Sequence, residues 1–177
     1  MISERLLKEL NVQIREELAS YYLYLSMSSY FADKNLNGFA GWMYNQAQEE
    51  MAHAMKIYGF IIERGGRAIF DALDRPKSDW TDVKAVFEDT LKHEQYITGR
   101  INKLVSIARE ENDYATEIFL QWFVTEQIEE EANAEDILNK ISLLANSPQA
   151  LYLLDKELGA RGSLPLASGQ GAVGSQQ

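Results

Sequence analysis

Apolar residues recur every three to four positions along most of this chain, with polar and charged residues between them. That spacing puts the apolar residues on one face of an α-helix and predicts amphipathic helices. The predicted helices cover residues 3 to about 32, 37 to the glycine pair at 65–66, 81 to the break at 112–113, about 114 to 144, and 147 to about 159. We expect short polar side chains to cap four of them, at Ser3, Asn37, Thr81 and Ser147.

The connections between these helices predict how they are arranged. The first two helices, and the third and fourth, are joined by links of a few residues, which favours two antiparallel hairpins. Residues 67–80 show no regular period and contain Pro76, so this long link must cross the length of the bundle. The pattern therefore predicts an all-α protein: a four-helix bundle with one long crossover and a short fifth helix. Residues 1–160 would form one domain, and residues 161–177, rich in Gly, Ser and Gln, a flexible tail.

Composition narrows the choice of partners. The formal net charge is −10, which disfavours nucleic acid and anionic membrane surfaces and favours cations. The absence of cysteine excludes disulfides, thiolate metal sites and iron–sulfur clusters. No apolar run is long enough to span a membrane, and no secretory signal is visible ahead of the first helix. We therefore expect a cytoplasmic protein that contacts no membrane.

Acidic residues interrupt the apolar stripe of every long helix. The first helix contributes Glu17, the second Glu50 and His53 three residues apart, the third Glu94, and the fourth Glu130. Burying carboxylates is costly unless a positive charge meets them, and two divalent ions would balance four carboxylates. Oxygen donors with one imidazole suit Fe(II), Mn(II) or Zn(II). Di-iron carboxylate bundles carry a second Glu-x-x-His motif, and the fourth helix here has Gln127 and Glu130 at that three-residue spacing in place of its glutamate and histidine.

Further polar residues lie close to this set. Glu49, Glu126 and Glu129 point about a quarter-turn away and have two readings: a third, weaker metal site, or an ordinary solvated acidic face, which the spacing alone favours. Tyr24 lies on the same stripe as Glu17 and has two interpretations. In one it donates a hydrogen bond or an electron to the metals, and in the other it is an ordinary core tyrosine. We expect His93 to lie on the surface.

Several motifs in the same order resemble those of the prokaryotic non-haem ferritins. Two carry the metal-site residues, QEEMAHAM at 48–55 and EQIEEE at 126–131, with Glu17, Tyr24 and Glu94 in register. The others are YLYLSMSSYF at 22–31, FAGWM at 39–43, ERGGR at 63–67, FLQWFVTEQ at 119–127 and LDKEL at 154–158. The resemblance covers residues 1 to about 160 and implies the ferritin-like bundle.

The resemblance also implies an activity, a set of iron ligands and an assembly. The activity is ferroxidase chemistry, oxidation of Fe(II) by O₂ or H₂O₂, with ferric mineral stored in a shell of 24 subunits built from dimers. One iron would be bound by Glu17, Glu50 and His53, and a second by Glu50, Glu94 and Glu130, with Gln127 nearby and Tyr24 beside the pair. A third site would use Glu49, Glu126, Glu129 and Glu130. The fifth helix would line the four-fold axis, Glu117 would face the three-fold axis, and no haem is expected.

Four other readings remain open from the sequence. Met51 lies where bacterioferritins carry their haem-ligating methionine, although Gln127 and Glu130 differ from the bacterioferritin pattern. A di-iron or di-manganese peroxidase of the rubrerythrin kind is a second alternative, but those proteins usually add a cysteine-rich module. A DNA-protecting miniature ferritin would place its metal between subunits and would have no fifth helix. A purely structural acidic bundle leaves the buried acid unexplained.

Overall fold

The computed structural model describes residues 2–144 and 147–160, which form five α-helices. The helices are α1 (Glu4–Asp33), α2 (Asn37–Glu63), α3 (Val83–Glu110), α4 (Tyr114–Leu143) and α5 (Pro148–Gly159). The predicted fold class, an all-α four-helix bundle with a short fifth helix, is confirmed. None of the helices in these two ranges is both long and apolar enough to cross a membrane. The predicted tail, 161–177, lies outside the described residues.

The two expected hairpins are present: α1 packs along α2, and α3 along α4. Their tight links contain Asn35 and Asn112, whose φ angles of 59° and 55° lie in the left-handed region. Asparagine tolerates that region better than most residues do, so each link can turn within a few residues. The α1 helix also contacts α3, and α5 packs against α2.

The crossover between α2 and α3 runs along α1, as its predicted length requires. Side chains spaced along α1 donate hydrogen bonds to successive crossover carbonyls and hold it against the helix. These bonds are Asn11 Nδ2 to Arg67 O at 3.3 Å, Arg15 Nε to Ala72 O at 3.2 Å, Ser26 Oγ to Lys77 O at 2.7 Å and Tyr30 Oη to Trp80 O at 3.0 Å. The crossover therefore satisfies part of its backbone on α1 and not in a sheet or helix of its own.

Two of the predicted N-caps are wrong. The N-cap of α2 is Leu36 and not Asn37, and its side chain makes no capping bond. The free N–H groups of Gly38 and Phe39 donate instead to Oδ1 of Asp155 on α5, at 2.8 and 3.0 Å. A carboxylate brought by tertiary packing thus replaces the local cap and also gains from the positive helix end.

The third helix is capped one residue later than predicted. Asp82, and not Thr81, accepts from the N–H of Ala85 at 2.8 Å. Ser3 and Ser147 cap α1 and α5 as predicted.

The apolar core is divided into two clusters that lie toward opposite ends of the bundle. One contains Met27, Phe31, Phe39 and Phe87 among others, and the second contains Leu6, Ile14, Ile57, Ile101 and their neighbours. On α1, the buried residues between Ile14 of one cluster and Tyr24 of the other are polar, Glu17 and Ser20, so a buried layer between the clusters holds polar side chains. This layer positions the site described next.

Candidate metal centre

Six polar side chains from all four long helices are buried in the layer between the two apolar clusters. Each is at most 6% exposed, and the set comprises Glu17, Glu50, His53, Glu94, Gln127 and Glu130. Tyr24, also buried, borders the layer. Every residue predicted to line the central site is therefore inside the bundle.

The tightest group is made by Glu17, Glu50 and His53. One donor atom from each of these side chains lies within 4.8 Å of the others. Oε1 of Glu17 accepts from Gln13 Nε2 at 3.0 Å, and Nδ1 of His53 lies 3.5 Å from Oε2 of Glu50. The Oε2 atoms of Glu17 and Glu50 are buried without a hydrogen-bond partner among the described residues. Two orphaned carboxylate oxygens beside an imidazole nitrogen are the donors that a divalent cation would satisfy.

The remaining two carboxylates face amide and phenol groups and do not belong to that group of three. Glu94 accepts a hydrogen bond from the Tyr24 hydroxyl and another from Gln127 Nε2 at 3.1 Å. Glu130 accepts from Gln46 Nε2 at 2.6 Å. Gln127 thus presents its amide nitrogen to Glu94, which orients this carboxylate.

The electrostatics of the layer favour protonated carboxyls when no cation is bound. Burial raises the pKa of Glu17 and of Glu50 well above the ordinary value, and the negative charges of Glu50 and Glu94, respectively, raise them further. Burial and the charge of Glu94 raise the pKa of Glu130 to about 7. Burial and Glu94 also raise the pKa of Tyr24, which keeps its hydroxyl a donor. A bound cation would reverse this preference by pairing with the ionised forms.

The second acidic set borders a cavity of about 530 Å³ between α2 and α4. Glu49, Glu126 and Glu129 line this cavity together with His53 and Glu130 of the central layer. The three glutamates are partly or largely exposed, and burial raises the pKa of Glu49. The cavity therefore joins the second set to the central layer, and both sequence interpretations of this set fit the geometry.

The structure corrects the placement of His93. It was expected on the surface, but it is partly buried between α1 and α3, with Nε2 2.7 Å from Oγ of Ser20. Its ring meets that of Tyr24 edge-on, with 6.1 Å between centroids. Glu117, expected at the three-fold axis, forms an ion pair with Arg109 at 2.7 Å within the chain.

The sequence analysis did not predict the roles of two buried glutamines that hold carboxylates of the layer. Gln13 is fully buried and holds Glu17, although no function was predicted for it. It lies four residues before Glu17 on the stripe of Leu10 and Ile14, and a polar residue on an apolar stripe was the available signal. Gln46 is buried on α2 and donates across the bundle to Glu130 on α4, a contact for which the sequence holds no signal.

An all-α bundle with buried carboxylates from every long helix and one histidine defines the class of carboxylate metal-binding bundles. The family model for the ferritin-like domain matches residues 7–144. The chain belongs to the ferritin family.

Relatives of known name agree with this assignment. The bacterial non-heme ferritin of Staphylococcus aureus (strain USA300) is 42% identical over 161 residues, covering 91% of this chain and 97% of that protein. That of Bacteroides fragilis (strain 638R) is 44% identical over 161 residues, covering 91% and 100%. Among solved structures, the open pore ferritin from the hyperthermophilic archaeon Archaeoglobus fulgidus is 49% identical, with a TM-score of 0.91, covering 92% of this chain and all of that one.

Proposed function

We propose that this chain oxidises Fe(II) at the buried carboxylate layer and stores the ferric product. The observation that carries the proposal is the pair of buried Oε2 atoms of Glu17 and Glu50, orphaned beside His53. A stable bundle does not retain uncompensated buried carboxylates without a reason, and a bound cation supplies one. The non-heme ferritins among its relatives favour iron as that cation.

Two Fe(II) ions would share the layer as substrates. The first would be bound by Glu17, Glu50 and His53, and the second by Glu50, Glu94 and Glu130. Four carboxylates would then balance two divalent ions around a neutral imidazole, which a buried site requires. Gln127 would act by orienting Glu94 through its amide, and Tyr24 by donating to the same carboxylate.

The oxidation balances with one dioxygen for each pair of ions. Each Fe(II) gives one electron, so O₂ is reduced to the level of peroxide, and H₂O₂ is the alternative oxidant. Anionic ligands stabilise Fe(III) more than Fe(II), which makes the transfer more favourable. Glu49, Glu126 and Glu129, with Glu130, would form a third iron site in the cavity between α2 and α4, on the path by which ferric ions leave.

The storage role requires an assembly. We extend the proposal to a cytoplasmic shell of 24 chains built from dimers, with α5 at the four-fold axis and Glu117 at the three-fold axis. The relatives named as ferritins support this extension. Sedimentation of the purified protein would test it, because a free chain of 20.2 kDa and a closed shell differ greatly in size.

The activity is tested by loading the apo-protein anaerobically with Fe(II), admitting air, and following ferric absorbance against the iron added per chain. We expect fast oxidation that continues far beyond two irons per chain, with the iron remaining soluble. The double substitution Glu50→Ala and His53→Ala should abolish the fast phase without changing the sedimentation of the protein. Glu63→Ala, an exposed change on the same helix, should leave it intact.

Two results would contradict the proposal. Unchanged oxidation rates in the double variant would remove the metal assignment. If oxidation stops at two irons per chain, the metal site would stand but the storage role would be wrong, and a di-iron enzyme would be favoured. A red preparation with a Soret band would indicate the bacterioferritin branch and haem at Met51, which the names of the non-heme relatives disfavour.

A further inference from the structure

A file of aromatic rings leads from the carboxylate layer to the surface between α1 and α3, across the bundle from the cavity between α2 and α4. We propose that Tyr24, His93 and Tyr96 form an electron relay that carries oxidising equivalents from the iron centre to a soluble reductant at this surface. The proposal rests on the proposed function, because it needs an oxidant produced by the reaction of Fe(II) with O₂. The relay goes beyond the storage role, because storage concerns the iron and the relay concerns the reduced oxygen species that its oxidation leaves.

The rings follow one another at near-contact distances. Tyr24 is fully buried, and its hydroxyl donates to Glu94 of the layer. Its ring meets His93 edge-on with 6.1 Å between centroids, and the His93 ring lies 6.3 Å from that of Tyr96. Tyr96 is 49% exposed, so the file ends in solvent. Electron transfer is fastest where such rings replace saturated side chains, and centroid spacings of about 4.5–7 Å are those of interacting aromatic pairs.

Hydrogen bonds fix the two outer rings of the file. The Ser20 hydroxyl donates its proton to the carbonyl of Glu16 at 3.0 Å. In the 2.7 Å contact between Ser20 Oγ and His93 Nε2, the imidazole N–H is therefore the donor and Ser20 Oγ the acceptor. The Tyr96 hydroxyl donates to Oε2 of Glu16 at 3.1 Å. Glu16 thus anchors both rings and offers Tyr96 a carboxylate that accepts its phenol proton on oxidation.

The electron and proton balance closes with one reductant from solution. Dioxygen takes four electrons on the way to water, and two Fe(II) ions supply two, so an oxidant at the peroxide level remains at the centre. That oxidant takes one electron from Tyr24, and the phenol proton moves to the Glu94 oxygen that it already faces. The Tyr24 radical regains an electron from Tyr96 through His93 and a proton from Glu94, while the Tyr96 proton passes to Glu16. Glu16 then returns the proton to the Tyr96 radical, while a soluble enediol such as ascorbate returns the electron and releases one proton to solvent. Two such passages supply the two missing electrons, which with protons from solvent reduce the oxidant to the level of water.

A second aromatic outlet competes with this one. Trp122 meets His53 edge-on at 5.4 Å and is 37% exposed on the opposite, cavity side. Among the residues that the structure describes, no carboxylate accepts a hydrogen bond from Trp122 as Glu16 does from Tyr96, and Lys56 lies over the Trp122 ring at 4.0 Å. A cation over the ring disfavours loss of an electron from it. The structure therefore favours the file that ends at Tyr96.

The test uses Tyr96→Phe, which keeps the ring but removes the ionisable hydroxyl, and Tyr22→Phe as a matched exposed tyrosine on α1. Fe(II)-loaded protein is mixed with O₂ and freeze-quenched, with and without ascorbate, and the tyrosyl radical is followed by electron paramagnetic resonance. We expect ascorbate to shorten the radical lifetime in the parent protein and in Tyr22→Phe. In Tyr96→Phe the radical should last about ten-fold longer and respond little to ascorbate. The initial rate of Fe(II) oxidation should be the same in all three proteins.

Each contrary result has a distinct meaning. Fast iron oxidation with the same radical lifetime and ascorbate response in Tyr96→Phe overturns the relay and leaves the proposed function standing. The same conclusion follows if Trp122→Phe, and not Tyr96→Phe, prolongs the radical, because the outlet then lies on the cavity side. Absence of a protein radical in the parent protein also overturns it. Absence of fast oxidation in the parent protein overturns the proposed function and the relay together.

Discussion

Metal binding to the carboxylate layer should release protons, and the release should be larger at pH 6 than at pH 8. The perturbation that isolates one proton is Glu130→Gln, which removes the carboxyl but keeps its shape and its contact with Gln46. Folding raises the pKa of Glu130 from 4.5 to about 7. Because the raised pKa belongs to an acid, its protonated form stabilises the folded apo-protein at low pH, and this contribution is lost as the pH rises through about 7.

The size of the effect follows from that pKa. A carboxyl with a pKa of about 7 holds about 0.9 proton at pH 6 and about 0.1 proton at pH 8. The metal needs the ionised carboxylate, so binding displaces whatever proton is present. Glu17 and Glu50 also have raised pKa values and add to the release. The difference between the parent protein and Glu130→Gln should thus be about one proton per chain at pH 6 and close to none at pH 8.

The assay is calorimetric titration of the apo-protein with Zn(II), a redox-inert probe, in buffers of different ionisation enthalpy. The dependence of the observed heat on the buffer gives the number of protons released per chain. Glu135→Gln, an exposed change on the same helix, serves as the control and should behave like the parent protein. The reasoning is refuted if the release does not increase from pH 8 to pH 6, or if Glu130→Gln releases as many protons at pH 6 as the parent protein does.

Three further substitutions, one of them a control, test the supports of the site and of α5. Gly38→Ala places a Cβ 1.6 Å from the carbonyl oxygen of Asp155, so α5 must move, and we expect a lower melting temperature and faster proteolysis within α5. Gly59→Ala, in the same helix, adds a Cβ that no described atom approaches within 4 Å, so it should instead stabilise the protein by about 0.5–1 kcal/mol, and equal effects of the two would contradict this account. Gln13→Leu removes the bond that holds Glu17 and should weaken Zn(II) binding by about 10–100-fold; unchanged affinity would show that Gln13 serves packing alone.

The helices of this protein could be predicted from the sequence because their signals are local. The three-to-four-residue period of apolar side chains depends only on the helix repeat, so all five elements agree with prediction to within a few residues. The same local geometry predicted that Glu50 and His53 share one face. The acids of the other three helices could be predicted as buried because each interrupts an apolar stripe.

Except at Thr81, where the neighbouring Asp82 caps the helix, the errors arose where a local rule competed with a tertiary contact. Asn37 has the chemistry of a cap, but Asp155, distant in sequence, takes that role because α5 packs on the start of α2. His93 is adjacent to Glu94 and points away from it on the helix, which predicted a surface position, but its ring is partly enclosed by α1, where Ser20 bonds to it. The partner of a helix end or of a ring nitrogen is chosen by how the helices dock, and a one-dimensional pattern does not contain that information.

The sequence by itself determined the number and extent of the helices, the all-α class and the residue types available to a metal. Each of these depends on side chains a few positions apart on one helix, where spacing fixes direction. Only the tertiary structure decided which of those side chains meet. It drew Glu17, Glu50 and His53 into one group, turned Glu94 toward Tyr24 and Gln127, and left two carboxylate oxygens without partners. Those distances depend on the relative rotation and height of four helices, which the packing of the two apolar clusters sets.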